Sequence, residues 1–215
     1  MYNLDKYKAF RAIPCQTRGK ERIRLILSSA LTLFRERGID AVTTNDIARR
    51  AKIPIGSLYR YYPNKAAIIL ALTALYADDV AQLFKDIAAN RFFAALSWDE
   101  VMLLTIDAWV NYSILNGPFV FLHTEQANPR LSPQARECWD RFGQAFGSTL
   151  QARCPQLTDA NVTIAFRFAL ATCELGTDIE RAKNKDAHPE TYYEAIGAIA
   201  AYMDKACVDH GHGRV

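Results

Sequence analysis

Cysteine is scarce in this sequence and poorly placed for pairing. Cys15, Cys138, Cys154, Cys173 and Cys207 are scattered, odd in number and never in C-x-x-C spacing. Disulfide and structural zinc readings are therefore weak, and the chain reads as cytoplasmic. The histidines supply no metal pattern: His210 and His212 lie in a C-terminal tail, and His188 precedes a proline in a loop. No nucleophile–base–orienter set, phosphate-cradling loop or metal spacing appears, so neither catalysis nor a cofactor is expected. Alternating strand patterns, internal repeats and low-complexity segments are all missing, which excludes a β-rich or solenoid architecture. The opening residues lack an apolar core of signal-peptide length. No run looks long enough to span a membrane, so no membrane partner is expected.

What is present is helical periodicity and an uneven charge. At 215 residues the chain can bury a sizeable core. Its net charge of +3 conceals two opposite parts: residues 1–65 hold 14 Lys and Arg against 5 Asp and Glu, and residues 66–215 hold 12 against 18. A basic first third on an acidic body suits an anionic polymer bound at one end. Lys6, Lys8 and Arg11, followed by Arg18, Lys20, Arg22 and Arg24, form a basic arm. That arm either follows phosphates and enters a minor groove or is an ordinary solvated terminus.

The spacing predicts a first helix from Arg18 to Arg37, with Ile23, Ile26, Leu27, Ala30, Leu31 and Phe34 as its inner stripe and Gly38 just past its end. Thr44 is placed to cap a second helix over about 45–52, and Asp46 complements the positive end of that helix. Ile47, Ala48 and Ala51 face inward. A third helix covers Ile55 to Tyr61, with Leu58 and Tyr62 inside and Ile55, Gly56, Ser57, Tyr59, Arg60 and Tyr61 left for other surfaces. Pro63 closes it, and Asn64 caps a fourth helix over about 65–88. Two short helices, a tight turn and exposed tyrosines and cations are how a chain offers a helix to the major groove of DNA.

The stretch TTNDIARRAKIPIGSLYRYYPNKAAII, preceded by ILSSALTLFRERG, resembles the N-terminal DNA-binding domain of TetR-family transcriptional regulators. The resemblance rests on Thr44, Ile47-Ala48, Gly56, Leu58-Tyr59, Tyr61-Tyr62 and Lys65, and runs ungapped from about Ile26 to Leu70. It implies DNA contacts at Thr44, Ser57, Tyr59, Tyr61 and Lys65. Two positions depart from the family's pattern: Lys52 stands where a glycine is usual, and Pro54 where a serine cap is usual. A left-handed backbone at Lys52 would be strained, and Pro54 offers no hydroxyl cap. From the residues themselves, Gly56 allows close approach to bases, and Arg60 reaches guanine or phosphate. Ile55 packs either on a thymine methyl or against the neighbouring helices.

The rest reads as helices: about 97–115 behind the capping box Ser97-x-x-Glu100, then one opened by Ser132-Pro133 and reaching Arg153, one capped by Thr158 or Asp159 and running to about Lys183, and Pro189 to about Val208, with a short segment from Phe119 to His123. Two heads must stand about 34–36 Å apart to read successive grooves, so a dimer interface is needed. Phe168, Leu175, Tyr192, Tyr193, Ile196, Ile199 and Ala200 on the last two helices are its candidates, each helix being part core and part interface. In TetR-like proteins these helices form a four-helix bundle across the dimer. Trp109, Tyr112, Phe119, His123, Trp139, Phe142 and Cys173 are core or the lining of a small-molecule pocket. The sequence thus predicts an all-α chain of about nine helices. Residues 1–65 form an N-terminal arm and helix-turn-helix head, and residues 66–215 a ligand-binding and dimerisation body. The expected function is a homodimeric repressor on a palindromic DNA operator, released by a small apolar or amphipathic effector. An architectural or division-control DNA-binding protein without an inducer is the alternative.

Overall fold

A computed structural model describes residues 17–116, 133–182 and 189–211. All regular structure among them is helical: α1 (Thr17–Arg37), α2 (Thr44–Arg50), α3 (Ile55–Tyr61), α4 (Lys65–Ala88), a 3-10 turn (Phe93–Ala95), α5 (Trp98–Asn116), α6 (Pro133–Arg153), α7 (Asp159–Ala182) and α8 (Pro189–Gly211). The basic residues 1–16, the segment with Phe119 and His123, His188 and His212 lie outside the described residues, whereas His210, expected in a tail, falls in the last turn of α8. Two compact units divide the chain, between Tyr76 and Ala77 within α4 and between Cys138 and Trp139 within α6.

In the first unit α1 buries Ile23, Ile26, Leu27, Ala30, Leu33 and Phe34. Leu33 takes the place expected for Leu31, which is half-buried. Gly38, at φ 80°, ends the helix and returns its N–H to the Phe34 carbonyl at 2.9 Å. The cap of α2 is Thr43, not Thr44. The Thr43 hydroxyl accepts from the Asp46 N–H at 3.2 Å, and the Asp46 carboxylate accepts from the Thr43 N–H at 3.0 Å. Thr44 cannot form this reciprocal box, because the residue three places on is Ile47. The Thr43 hydroxyl also donates to the Asp46 carboxylate at 2.5 Å, and this bond, followed by the one from the Thr43 N–H, holds the Asp46 carboxyl below the usual range.

The turn after α2 is a Schellman stop: the Ile53 N–H donates to the Ala48 carbonyl at 3.0 Å and the Lys52 N–H to Arg49 at 3.2 Å. This stop requires left-handed backbone at the residue after the cap. Lys52 supplies it at φ 54°, alone among the non-glycine described residues. Replacing Lys52 with glycine is expected to stabilise the protein by roughly 0.5–1 kcal/mol, the left-handed penalty of an L-residue less glycine's extra unfolded freedom. A raised thermal midpoint checks this. Pro54 precedes α3 with no side-chain cap bond. The Asn64 side chain accepts from the Ala67 N–H at 2.9 Å and so caps α4. Alone among the described helices, α4 has the length and composition of a membrane span, beyond what the sequence led us to expect; most of it is buried, as in a core helix.

In the second unit α5 starts behind the Ser97/Glu100 box, whose two bonds measure 2.7 and 3.2 Å. Thr158 and Asn161 make the same reciprocal arrangement before α7, at 3.1 and 3.2 Å. Helices α5, α7 and α8 pack against one another. They come close at Gly176 of α7, where a Cβ would stand 2.6 Å from the Tyr192 ring of α8 and 3.1 Å from Val110 of α5. The Tyr192 hydroxyl donates to Asp107 of α5 at 2.6 Å, and burial followed by that carboxylate pushes its titration upward. Rings from α4 to α7 form one cluster: Trp109 meets Phe142 edge-on at 4.7 Å, and Phe84, Phe146 and Phe166 close around them at 5.2–6.5 Å. At its side the Tyr112 hydroxyl donates to Asp79 at 2.6 Å, and Arg141 pairs with Asp78 at 2.8 Å. Burial raises the Asp79 carboxyl, with the Tyr112 bond opposing the shift.

One expectation from cysteine spacing is overturned here. Cys154, at the end of α6, is disulfide-bonded to Cys207 on α8, with the Cα atoms 6.4 Å apart. The two residues are 53 positions apart in sequence, so no spacing motif announces them. Cys138 and Cys173 are buried and take no part in this disulfide.

Candidate nucleic-acid interface

The surface of α3 follows from its seven residues. Leu58 and Tyr61 anchor it, with Tyr62 buried immediately after. The expectation that Tyr61 lies on an outer surface is corrected: it is 5% exposed. Positions three and four beyond Leu58 share its face of a helix, so Tyr61 turns inward with Tyr62. The Arg60 guanidinium lies 5.1 Å over the Tyr61 ring and donates to its hydroxyl at 3.0 Å.

The opposite face is open. Gly56 is exposed, and a Cβ built on it would meet nothing within 4 Å. Ile55 and Ser57 are half-buried, and Arg60 is exposed. Tyr59 is 47% exposed, and its hydroxyl shares a 3.0 Å hydrogen bond with that of Thr44 at the start of α2. Two residues assigned to DNA by resemblance, 15 positions apart, therefore act as one hydroxyl pair. Tyrosine and threonine hydroxyls of this kind suit phosphate and sugar oxygens.

Arg22 of α1 donates to the Ser57 hydroxyl at 3.2 Å. By sequence alone Arg22 is one charge in a basic arm. Its place beside α3 depends on how α1 crosses α3, which spacing along one helix does not reveal. Around the same helices, Arg49 pairs with Asp46 at 3.4 Å and Arg50 with Glu36 at 3.1 Å. Lys65 is less free than its position suggested: its ammonium donates to the Ile39 carbonyl at 2.9 Å and to Asp40 at 3.5 Å. No carboxylate belongs to α3 itself, so its outer face carries only apolar, hydroxyl and cationic groups.

The other candidate sets fare differently. Trp109, Phe142 and Cys173 are buried in the second unit, Trp139 is half-buried against Phe142 at 6.2 Å, and Tyr112 is held by Asp79. Cys173 bonds with Thr177 and Ser113, and burial pushes its thiol upward. Phe119 and His123 lie outside the described residues. Of the interface candidates, Tyr192, Ile196, Ile199 and Ala200 are buried within their own unit. They form the inner face of α8 and present no surface to a second chain. Phe168 (59% exposed) and Tyr193 (57%) do face outward, with Leu175 half-buried. Ile164, four residues before Phe168 on the same helix, and Val208 extend the exposed apolar surface.

Comparison with known proteins agrees with this geometry. Residues 26–72 match the pattern of bacterial regulatory proteins of the tetR family. The chain is similar to the HTH-type transcriptional repressor KstR2 of Rhodococcus jostii, 27% identical over 166 residues that cover 71% of this chain and 76% of KstR2. It is also similar to the HTH-type regulator YuxN of Bacillus subtilis, 37% identical over 59 residues, 27% of this chain; the match spans only 20% of YuxN. Among solved structures, FadR from Bacillus subtilis in complex with stearoyl-CoA aligns at a TM-score of 0.61 and 14% identity, covering 84% of this chain and 96% of FadR. A TetR-family regulator from Streptomyces coelicolor aligns at 0.61 and 20% identity, covering 87% and 98%. At these identities the structural likeness concerns the fold.

Proposed function

We propose that the chain, whose residues 26–72 match the tetR family of bacterial regulatory proteins, acts as a homodimeric, cytoplasmic repressor whose two α3 helices read a palindromic operator. The observation that carries this reading is the outer face of α3. It is free of carboxylates, open at Gly56, and bordered by the Arg22–Ser57 and Thr44–Tyr59 bonds. Thr44, Tyr59 and Lys65 position the head on phosphates, while Ile55, Gly56, Ser57 and Arg60 meet base edges. Tyr61 supports them from inside, as the platform under Arg60. Selection of bound duplexes from a random pool tests the reading. Inverted repeats with half-site centres about one helical turn apart support it, and recovery of no preferred sequence sinks it.

Pairing of the heads falls to the outward faces of α7 and α8, through Ile164, Phe168, Tyr193 and Val208. Phe168→Arg is expected to convert the dimer into a monomer in sedimentation and to weaken operator binding about 100-fold or more, the advantage that linking two heads provides. An unchanged sedimentation coefficient would place the interface elsewhere.

The effector of this reading is apolar or amphipathic, and enters the ring-lined region of the second unit around Trp109, Trp139 and Phe142. A long acyl thioester, the kind of molecule bound to FadR, is the first class to screen. Ligand and DNA would weaken each other through their different affinities for two arrangements of the dimer. The inducer-free alternative draws support from one observation: the rings of Trp109, Phe142 and Phe166 already pack on one another. A thermal-shift screen separates the two readings, since a stabilising acyl or other apolar compound excludes the alternative.

A further inference from the structure

We propose that Lys52 contacts a DNA phosphate beside the recognition helix, and that the left-handed turn keeps a lysine there for its charge. The inference rests on the DNA-binding reading above and adds a positioning residue to it. Lys52 holds the glycine position of a Schellman stop at φ 54°. Glycine would take that conformation without strain. A strained residue kept beside a working surface points to a role for its side chain.

The surroundings show what that role is. Lys52 is exposed. The cations just before it are engaged, Arg49 with Asp46 and Arg50 with Glu36. The Lys52 ammonium has no ion pair or hydrogen bond among the described residues. Position matters as well. Lys52 is three residues before Ile55, the first residue of α3, so their Cα atoms are no more than about 11 Å apart. The major groove is about 12 Å wide. A side chain at that remove from a helix start lying in the groove stands at the groove wall, where the phosphates are. A lysine acts there as a point charge, without reading sequence.

The test uses full-length protein and a duplex recovered by the selection described above. Affinity is measured across about 50–200 mM salt, the range over which phosphate contacts are lost. Each neutralised phosphate contributes about 0.9 to the slope of log affinity against log salt. Lys52→Gln, with two heads per dimer, is therefore expected to flatten the slope by about 1.8. Lys52→Arg retains the wild-type slope, and so does Lys85→Gln, a control in the last turn of α4. Lys52→Gly, free of strain, gives a protein that melts higher yet shows the flattened slope; it also serves if the glutamine variant folds poorly. A wild-type slope in both Lys52→Gln and Lys52→Gly overturns the proposal and leaves the DNA-binding reading intact. Wild-type protein whose duplex binding ignores salt would instead sink the DNA-binding reading itself.

Discussion

Gly56→Leu is expected to lose operator binding by about 30-fold or more while the protein folds as before. The free head has room for the new side chain, since a Cβ at Gly56 meets no atom within 4 Å. Glycine inside a helix also lowers stability, so a substitution there is neutral or favourable by up to about 1 kcal/mol. Only an outside partner makes the position intolerant. On DNA, a leucine between α3 and the base edges overpacks the contact by about 1–3 kcal/mol per head. The dimer carries that cost twice, which yields the stated factor. Fluorescence anisotropy on the selected duplex, run beside a thermal melt, checks it. An unchanged affinity in a well-folded variant would mean that this face of α3 does not meet DNA.

Trp109→Ala is expected to destabilise the second unit by about 3–5 kcal/mol, the range for deleting a large buried aromatic. Trp109 is wholly buried and touches rings from three other helices: Phe84 of α4, Phe142 of α6 and Phe166 of α7. No single neighbour can swing in to fill the gap. Against a total stability of about 5–15 kcal/mol, such a loss brings the unit close to unfolding at ordinary temperature. Denaturant titration should show a lower midpoint with an unchanged slope. Added indole, which matches the deleted group, should restore part of the loss, as an apolar cavity binds a ligand of its own shape. A loss under about 1 kcal/mol would show that the cluster is loosely packed, and would favour a pre-formed effector cavity at that place.

The helices were legible because their boundaries are local chemistry. Gly38, the Ser97/Glu100 box, Pro133, Asn64 and Pro189 each act within three or four residues of themselves. Errors arose where a choice depended on distant parts of the chain. Tyr61 and Tyr62 both follow Leu58 at helical spacing, and only the packing of the head shows that both go inside. On α8 apolar and small residues occupy both faces, so the sequence could not tell the buried row of Tyr192, Ile196, Ile199 and Ala200 from the outward row containing Tyr193. The Cys154–Cys207 bond and the Arg22–Ser57 contact join residues 53 and 35 positions apart; neither follows from periodicity. Within the interface, the residues that face outward were readable from resemblance and spacing. The bonds that hold them in place were not.

The ammonium of Lys65 is already docked on the carbonyls of Ile39 and Asp40 before any DNA arrives. A lysine tail free in water surrenders about 1.5–2 kcal/mol of rotamer entropy when it is fixed. Here that surrender happened during folding, and an ammonium has three protons to share. On the proposed reading, the third proton meets a phosphate with little further ordering, so Lys65 favours a duplex that fits the pre-set geometry over one that merely lies nearby.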